Sequence, residues 1–402
     1  MRQLDITSQA FKTAPHAGLA EALRDGPFAH AKMPFLGNVK FALTHEAVHT
    51  VLKDTDRFAV DARNAGHRRA FGLPFIPKSV RLLSENILSL DDPDHQRLRR
   101  LADAPFRRAM IEAGREHVAA LVDVHLDQVA SDDAAEVDLT DIVFRPLPLK
   151  VISQMLGLTD AAQDRLAQIM SGFSSASSTW GILRALTGMG GVIKQLRAEI
   201  DLARRDPRPG LLGDLIAAEA DDGKMSEDEL VSLILVLFVA GHDTTTNLLS
   251  SGLHALQTEP GAWEIARGLD ADGWRIAVDE LMRFAMPVYM TKPRFVIQDT
   301  AVAGVSLERG EKVMALLGAA NLDPAVFDHP LKLDLGRRPN RHTGWGGGPH
   351  ICLGLHLAKM EAELTLSKIV DRWPNLALSD NLRWSKRLGT RGFERICVRL
   401  NA

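Results

Sequence analysis

Cysteine is scarce in this 402-residue chain: Cys352 and Cys397 are the only two. Two cysteines build no disulfide scaffold, and they suit a reducing cytoplasm. They also lack the paired spacing of a zinc site. An excess of charge of one sign is missing as well. The 48 Lys and Arg against 51 Asp and Glu leave a net charge of −3, which argues against nucleic-acid binding. The N-terminal "MRQLDITSQAFKTAPHAG" contains no apolar core of a secretory signal. The longest apolar run, "LILVLFVAG" (Leu233 to Gly241), falls short of the ~20 residues that cross a bilayer. Internal repeats and low-complexity tracts are also absent. These absences predict a soluble, cytoplasmic protein that binds neither membrane nor nucleic acid; a monomer is expected. The apolar fraction of 46% is ample for one large core, and a single domain over 1–402 is expected.

The pattern that is present is mainly helical. "VKFALTHEAVHTVL" predicts a short strand, a turn at Thr44 and a helix. "ARNAGHRRAFGLPFIPKSVRLLSEN" predicts a long loop. Helical periodicity dominates from Asp94 to about Asp221, with breaks at "SGFSSASST" and "RRDPRPG". Ser226 and Glu229 form a capping box before a helix that runs to about Gln257. Its middle is apolar all round, so it should cross the core. Another helix covers Ala271 to Phe284, and a last one follows Gly354 to about Trp373. A minor β component is expected at about 30–60 and 288–320.

Four constellations stand out. Cys352 lies in "WGGGPHICLG", a stretch costly to order because of its glycines and Pro349. It reads as a small buried hydrophobe, as a catalytic nucleophile with His350 nearby, or as a thiolate ligand. The helix that follows would favour the thiolate through its positive end, and a thiolate in a glycine-rich loop is a metal ligand open to a flat cofactor such as haem. A dinucleotide loop fails, since Ile351 stands where the third glycine is needed. "AGHDTT" sits in the middle of the long helix. Ala240 and Gly241 leave room beside the helix, and Asp243 and Thr244 place an acid and a hydroxyl among Leu and Val. That reads as a helix kink with threonines bonded to the i−4 carbonyls, as a proton-delivery pair, or as both. In "ELMR", Glu280 and Arg283 share a helix face and can pair, which alone is no more than a surface ion pair. In "DDPDHQRLRR", His95 and Arg99 share a face, for which a solvated charged surface is the default.

Together these pieces resemble the cytochrome P450 family of haem-thiolate monooxygenases, over nearly the whole chain. The loop matches the family pattern FxxGxxxCxG at Gly348, Cys352 and Gly354, with Trp345 in place of Phe. The resemblance implies the cytochrome P450 fold, with haem b buried between the long central helix and the Cys352 loop. It makes Cys352 the axial thiolate ligand. Asp243 and Thr244 become the acid–alcohol pair beside bound O2, and Glu280 and Arg283 the ExxR motif. Arg337 becomes the third member of that ion-pair network, with Leu333 where an aromatic is usual. His95, Arg99, Arg294 and His342 fall where the family binds the haem propionates. Ala240, Gly241, Trp345, Gly346, Gly348, His350 and Gly354 fall around the haem. In this reading Gly346 to Gly348 let the backbone approach the haem, His350 is a surface or propionate-side neighbour and not a ligand, and the Trp345 indole N–H sits near the cysteine sulfur.

The thiolate would push electron density onto iron and favour O–O cleavage. With no flavin or iron–sulfur motif in the chain, electrons would come from a ferredoxin-type partner. That partner would dock on a basic proximal face with Arg97, Arg100, Arg107, Arg108 and Lys359. The substrate is expected to be an apolar small molecule, met by Phe71, Phe75, Ile76, Leu237, Phe238, Val288, Tyr289, Met290, Thr291, Thr390 and Phe393. His67, Arg68 and Arg69 would meet a substrate carboxylate or solvent. A peroxide-using or reductant-independent haem-thiolate enzyme, and a non-catalytic haem-binding protein, are the alternatives.

Overall fold

The computed structural model describes residues 1–33, 36–67, 86–132, 134–171, 179–220 and 224–401, with the side chains of 167–171 and 179–189 excepted. Much of the loop expected after Ala62, and most of the "SGFSSASST" break, lie outside the described residues. The elements that position the site are, in chain order, β1 (Phe28–Met33), β2 (Gly37–Ala42), α1 (His45–Lys53), β3 (Phe58–Ala59), α2 (Asp94–Asp103), β4 (Val137–Asp138), α3 (Pro146–Leu156), α4 (Glu227–Thr258), α5 (Ala271–Ala285), β5 (Arg294–Val296), β6 (Thr300–Val302), β7 (Val305–Leu307), β8 (Lys312–Ala315), α6 (Leu355–Arg372), β9 (Ala377–Trp384) and β10 (Phe393–Arg399). The molecule is mainly helical with minor sheets, as the sequence predicts.

Local chemistry sets the helix starts. Thr44 accepts from the Ala47 N–H and caps α1. At α4 the capping box is complete: Ser226 Oγ accepts from the Glu229 N–H at 3.3 Å, and Glu229 Oε2 accepts from the Ser226 N–H at 2.8 Å. Asp270 caps α5 by accepting from the Gly273 N–H. By length and composition alone α4 would suffice to cross a bilayer. It is instead the core helix, packed against α3, α5, α6 and β10. Gly241 is where α3 comes closest: a Cβ there would lie 2.8 Å from Ile152 Cγ1. The space that Gly241 leaves is thus partly taken by Ile152.

A five-stranded sheet has the order β1-β2-β8-β5-β3, with β2 and β8 parallel and the other neighbours antiparallel. Arg294 pairs with Val313 in this sheet, so the strand fixes where its guanidinium emerges. β6 and β7 form a hairpin. A third sheet, β4-β10-β9, lies outside the two segments expected to hold strands. It brings the β9–β10 connection to α4, with an isolated bridge between Val288 and Thr390.

Candidate active site

Two cavities, of about 160 and 440 Å³, meet between α4 and the Cys352 loop. Leu88, Thr244, Thr245, Trp345, His350, Cys352 and Ala358 line both. Thr244 on the central helix and Cys352 before α6, distant in sequence, therefore face one shared space. In that helix each threonine hydroxyl donates to the carbonyl four residues back: Thr244 to Ala240 at 2.7 Å, Thr245 to Gly241 at 3.2 Å and Thr246 to His242 at 2.9 Å. Ala240 and Gly241 line the smaller cavity.

The cysteine loop is held by backbone bonds. Cys352 N–H donates to Trp345 O at 2.9 Å, and Gly346 N–H to Thr343 O at 2.8 Å. Gly348 has φ 65°, and a Cβ on it would stand 2.3 Å from Leu52 O. Its glycine requirement therefore comes from the end of α1, and it lines neither cavity. Gly346 and Gly347 line the larger cavity and Gly354 the smaller. Burial pushes the Cys352 thiol up, outweighing the Gly354 N–H and the nearby Arg99 charge that favour the thiolate. The Trp345 indole N–H has no hydrogen-bond partner, the sulfur included; the donor to the sulfur is Gly354.

Basic side chains converge on the same space. His95 and Arg99 line the smaller cavity, Lys292 and Arg294 the larger, and His350 both. The His95 and His350 rings stand 4.1 Å apart. Burial, with His95, Arg294, Arg99 and Lys292 around it, pushes His350 down to about 3. Burial also lowers His95, opposed by Asp92 at 3.3 Å. Arg99 Nη1 donates to Ile351 O at 2.8 Å, tying α2 to the residue before the cysteine. Arg294 is buried and its Nε has no partner. Among the described residues no carboxylate lines either cavity.

His342 is not part of this cluster. Its Nε2 faces Asp279 Oδ1 at 3.4 Å, its Nδ1 accepts from the Gly344 N–H, and Lys359 Nζ completes the group on Asp279 at 2.5 Å. The expected propionate role for His342 is corrected on that ground: its ring is already engaged and lines neither cavity. Lys292, which the sequence reading passed over, lines the cavity wall instead.

Asp243 is also not where the sequence reading put it. It lines neither cavity. Its carboxylate pairs with Arg387 of the β9–β10 connection and lies 3.3 Å from His242 Nε2, with 28% of the side chain exposed. Glu361 on α6 is the buried acid that the sequence reading missed. It is 1% exposed, and neither oxygen has a hydrogen-bond partner. Burial pushes it up to about 8, although the Thr245 hydroxyl lies near enough to favour its charge.

Glu280, Arg283 and Arg337 form a closed frame, not a surface pair. Arg283 donates through Nε and Nη2 to the Glu280 carboxylate at 2.8 and 2.7 Å, and to Asn321 O, Pro330 O and Lys332 O. Arg337 Nε donates to Glu280 Oε2 at 3.0 Å. Asp334 N–H and Asn340 Nδ2 donate to Glu280 as well.

Of the expected substrate contacts, Leu237 lines the smaller cavity, and Val288, Met290, Thr291 and Thr390 line the larger. Three others are core residues that line neither. Phe238 is fully buried beside His242. Tyr289 accepts from the Gly389 N–H and packs on Phe11. Phe393 stacks 3.8 Å from Trp384. Phe71, Phe75 and Ile76 lie outside the described residues, as do Arg68 and Arg69.

The residues present fit a haem: a cysteine sulfur, an unpartnered indole N–H and a cationic cluster without carboxylates surround one space. Comparison with known proteins agrees. The family model "Cytochrome P450" matches residues 187–267 and 275–380. The polyketide biosynthesis cytochrome P450 PksS of Bacillus subtilis (strain 168) is 32% identical over 355 residues, covering 87% of this chain and 86% of the relative. Nocardicin C N-oxygenase of Nocardia uniformis subsp. tsuyamanensis is 32% identical over 367 residues, covering 90% and 89%. The crystal structure of a myxobacterial cytochrome P450 in complex with myristic acid superposes with a TM-score of 0.89 at 30% identity, covering 99% of both chains. Motif order, cavity and relatives converge: the chain belongs to the cytochrome P450 family, monooxygenases that bind haem b through a cysteine thiolate.

Proposed function

We propose that this chain inserts one oxygen atom from O2 into a small molecule with an apolar body, using electrons from a ferredoxin-type partner. The observation that carries the reading is that Cys352 and Thr244 line the same two cavities from opposite elements. Cys352 Sγ would hold the iron from one side, and Arg99, Arg294, His95 and His350 the propionates at the edge. When bound, the haem supplies O2 activation, with the thiolate favouring O–O cleavage.

The chain's own residues do the rest. Thr244 presents its hydroxyl to the cavity while bonded to Ala240 O. Asp243, next in sequence and reached by solvent, takes up protons beside Arg387 and passes them toward Thr244. Leu237, Leu248, Val288 and Met290 exclude water and favour an apolar substrate. The myristic-acid complex of the structural relative supports an apolar body of that kind.

On the cysteine side of the fold, Arg100 and Arg108 are exposed, and Arg108 and Lys359 both act on His356. These suit an acidic partner. Arg97, Arg107 and Lys359 contribute less, because Glu229 and Asp94 hold the first, Asp103 the second and Asp279 the third.

The test is the ferrous–CO spectrum of the purified enzyme and of Cys352→Ser. The wild type should show the strongly red-shifted Soret band of a thiolate ligand, and the variant should lack it. A band that survives in Cys352→Ser removes the ligand assignment.

A further inference from the structure

The larger cavity carries one cation more than a haem requires. Its wall is apolar except for a few groups, and among the described residues Lys292 is its only lysine and Arg294 its only arginine. Among the described residues Lys292 Nζ has a single hydrogen bond, to Ser89 Oγ at 3.3 Å. An ammonium has three donors to satisfy, and Lys292 is exposed on this wall, open to a ligand. Haem b brings two propionates. Arg99 and Arg294 are two guanidiniums, charged at every accessible pH, and they match those carboxylates one for one. The two imidazoles, His95 and His350, add further donors. The Lys292 charge is therefore left over, on a wall it shares with Val288, Met290, Thr291 and Thr390.

We propose that Lys292 is a specificity-determining residue that binds an anionic end of the substrate, a carboxylate carried on an apolar body. The proposal rests on the haem-thiolate reading and narrows its substrate class. The pairing is charge-assisted, and the apolar residues beside it would take the body of the same ligand. Thr390 adds a second polar group on the same wall, since its hydroxyl is buried without a partner. The alternative carboxylate partner suggested by sequence, His67, lines neither cavity: its Nε2 is bonded to Gly310 O and its ring packs on Phe295.

The experiment uses the haem-loaded enzyme and two matched probe pairs, dodecanoate with methyl dodecanoate and 4-butylbenzoate with its methyl ester. Each is titrated by the optical shift of the ferric haem, in the wild type, Lys292→Met and Lys292→Arg. The wild type should bind at least one acid about tenfold or more tightly than its ester. Lys292→Met should bring that ratio to within about twofold of one, and Lys292→Arg should retain most of it. A wild type with no preference for either acid overturns the proposal, and so does a preference that persists in Lys292→Met. Haem loss in Lys292→Met overturns it too, because the lysine would then be a propionate partner. The ferrous–CO band is read on the same samples, so failure of the haem-thiolate reading shows itself separately.

Discussion

Two groups of basic side chains behave oppositely in this molecule. In the Glu280–Arg283–Arg337 frame every charge meets its complement: Arg283 makes five hydrogen bonds, and Glu280 accepts from two arginines, an amide and a backbone N–H. In the cavity cluster of His95, Arg99, Lys292, Arg294 and His350 the permanent charges are cationic, and among the described residues no carboxylate lines the cavities they face. Arg294 Nε has no partner and Lys292 has one hydroxyl. The first arrangement is a finished piece of structure. The second is half of a binding site, whose other half arrives with the ligand.

The contrast breaks most severely at Glu280. Glu280→Ala leaves Arg283 and Arg337 buried without an anion, a loss of about 3–5 kcal/mol. Little soluble protein should accumulate, and the urea midpoint of what remains should fall steeply. A variant as stable as the wild type would show that the frame is not what holds this region.

Arg294→Ala should do the reverse. It removes a buried cation that has no ion pair among the described residues, so the haem-free chain should be as stable as the wild type or more so. Haem retention should suffer instead: losing one charge-assisted contact of about 1.5–3 kcal/mol corresponds to roughly tenfold or more faster haem transfer to an acceptor protein. If haem loss is unchanged while the haem-free chain is destabilised, Arg294 belongs with the structural frame and the division between the two groups fails.

The sequence made some of this legible and hid the rest for a physical reason. Local signals survived: the Ser226 capping box, the Thr44 cap and the extent of α4 and α6 depend on neighbours within one or two helical turns. The placement of Thr244 and Cys352 on one cavity was legible through motif order. What failed depended on contacts from far along the chain. Asp243 was read among its helix neighbours as a buried acid, but the β9–β10 connection delivers Arg387 to it across 144 positions. His342 was given a propionate by its place before the cysteine, whereas Asp279 of α5 engages its ring. Lys292 and Glu361 carry no motif of their own, and only the cavity and the core reveal how little each is compensated.

Glu361 offers the smallest and most discriminating test, since it belongs to neither group: an acid buried with no partner, which burial pushes up to about 8 from the usual 4.5. Such a group escapes the cost of buried charge by keeping its proton. Between pH 4.5 and 8 the folded chain holds a proton that the unfolded chain has released. The unfolded state then binds fewer protons, so this residue's contribution makes stability fall as pH rises through that window. Below pH 4.5 both states are protonated and the contribution vanishes. Glu361→Gln removes the titration while keeping the shape. Its urea midpoint relative to the wild type should therefore be nearly the same at pH 4.5 and should rise steadily to pH 8, by an amount on the order of 1 kcal/mol or more in unfolding free energy. A difference that does not change with pH would mean that Glu361 is charged in the fold and compensated, and would move it into the same class as Glu280.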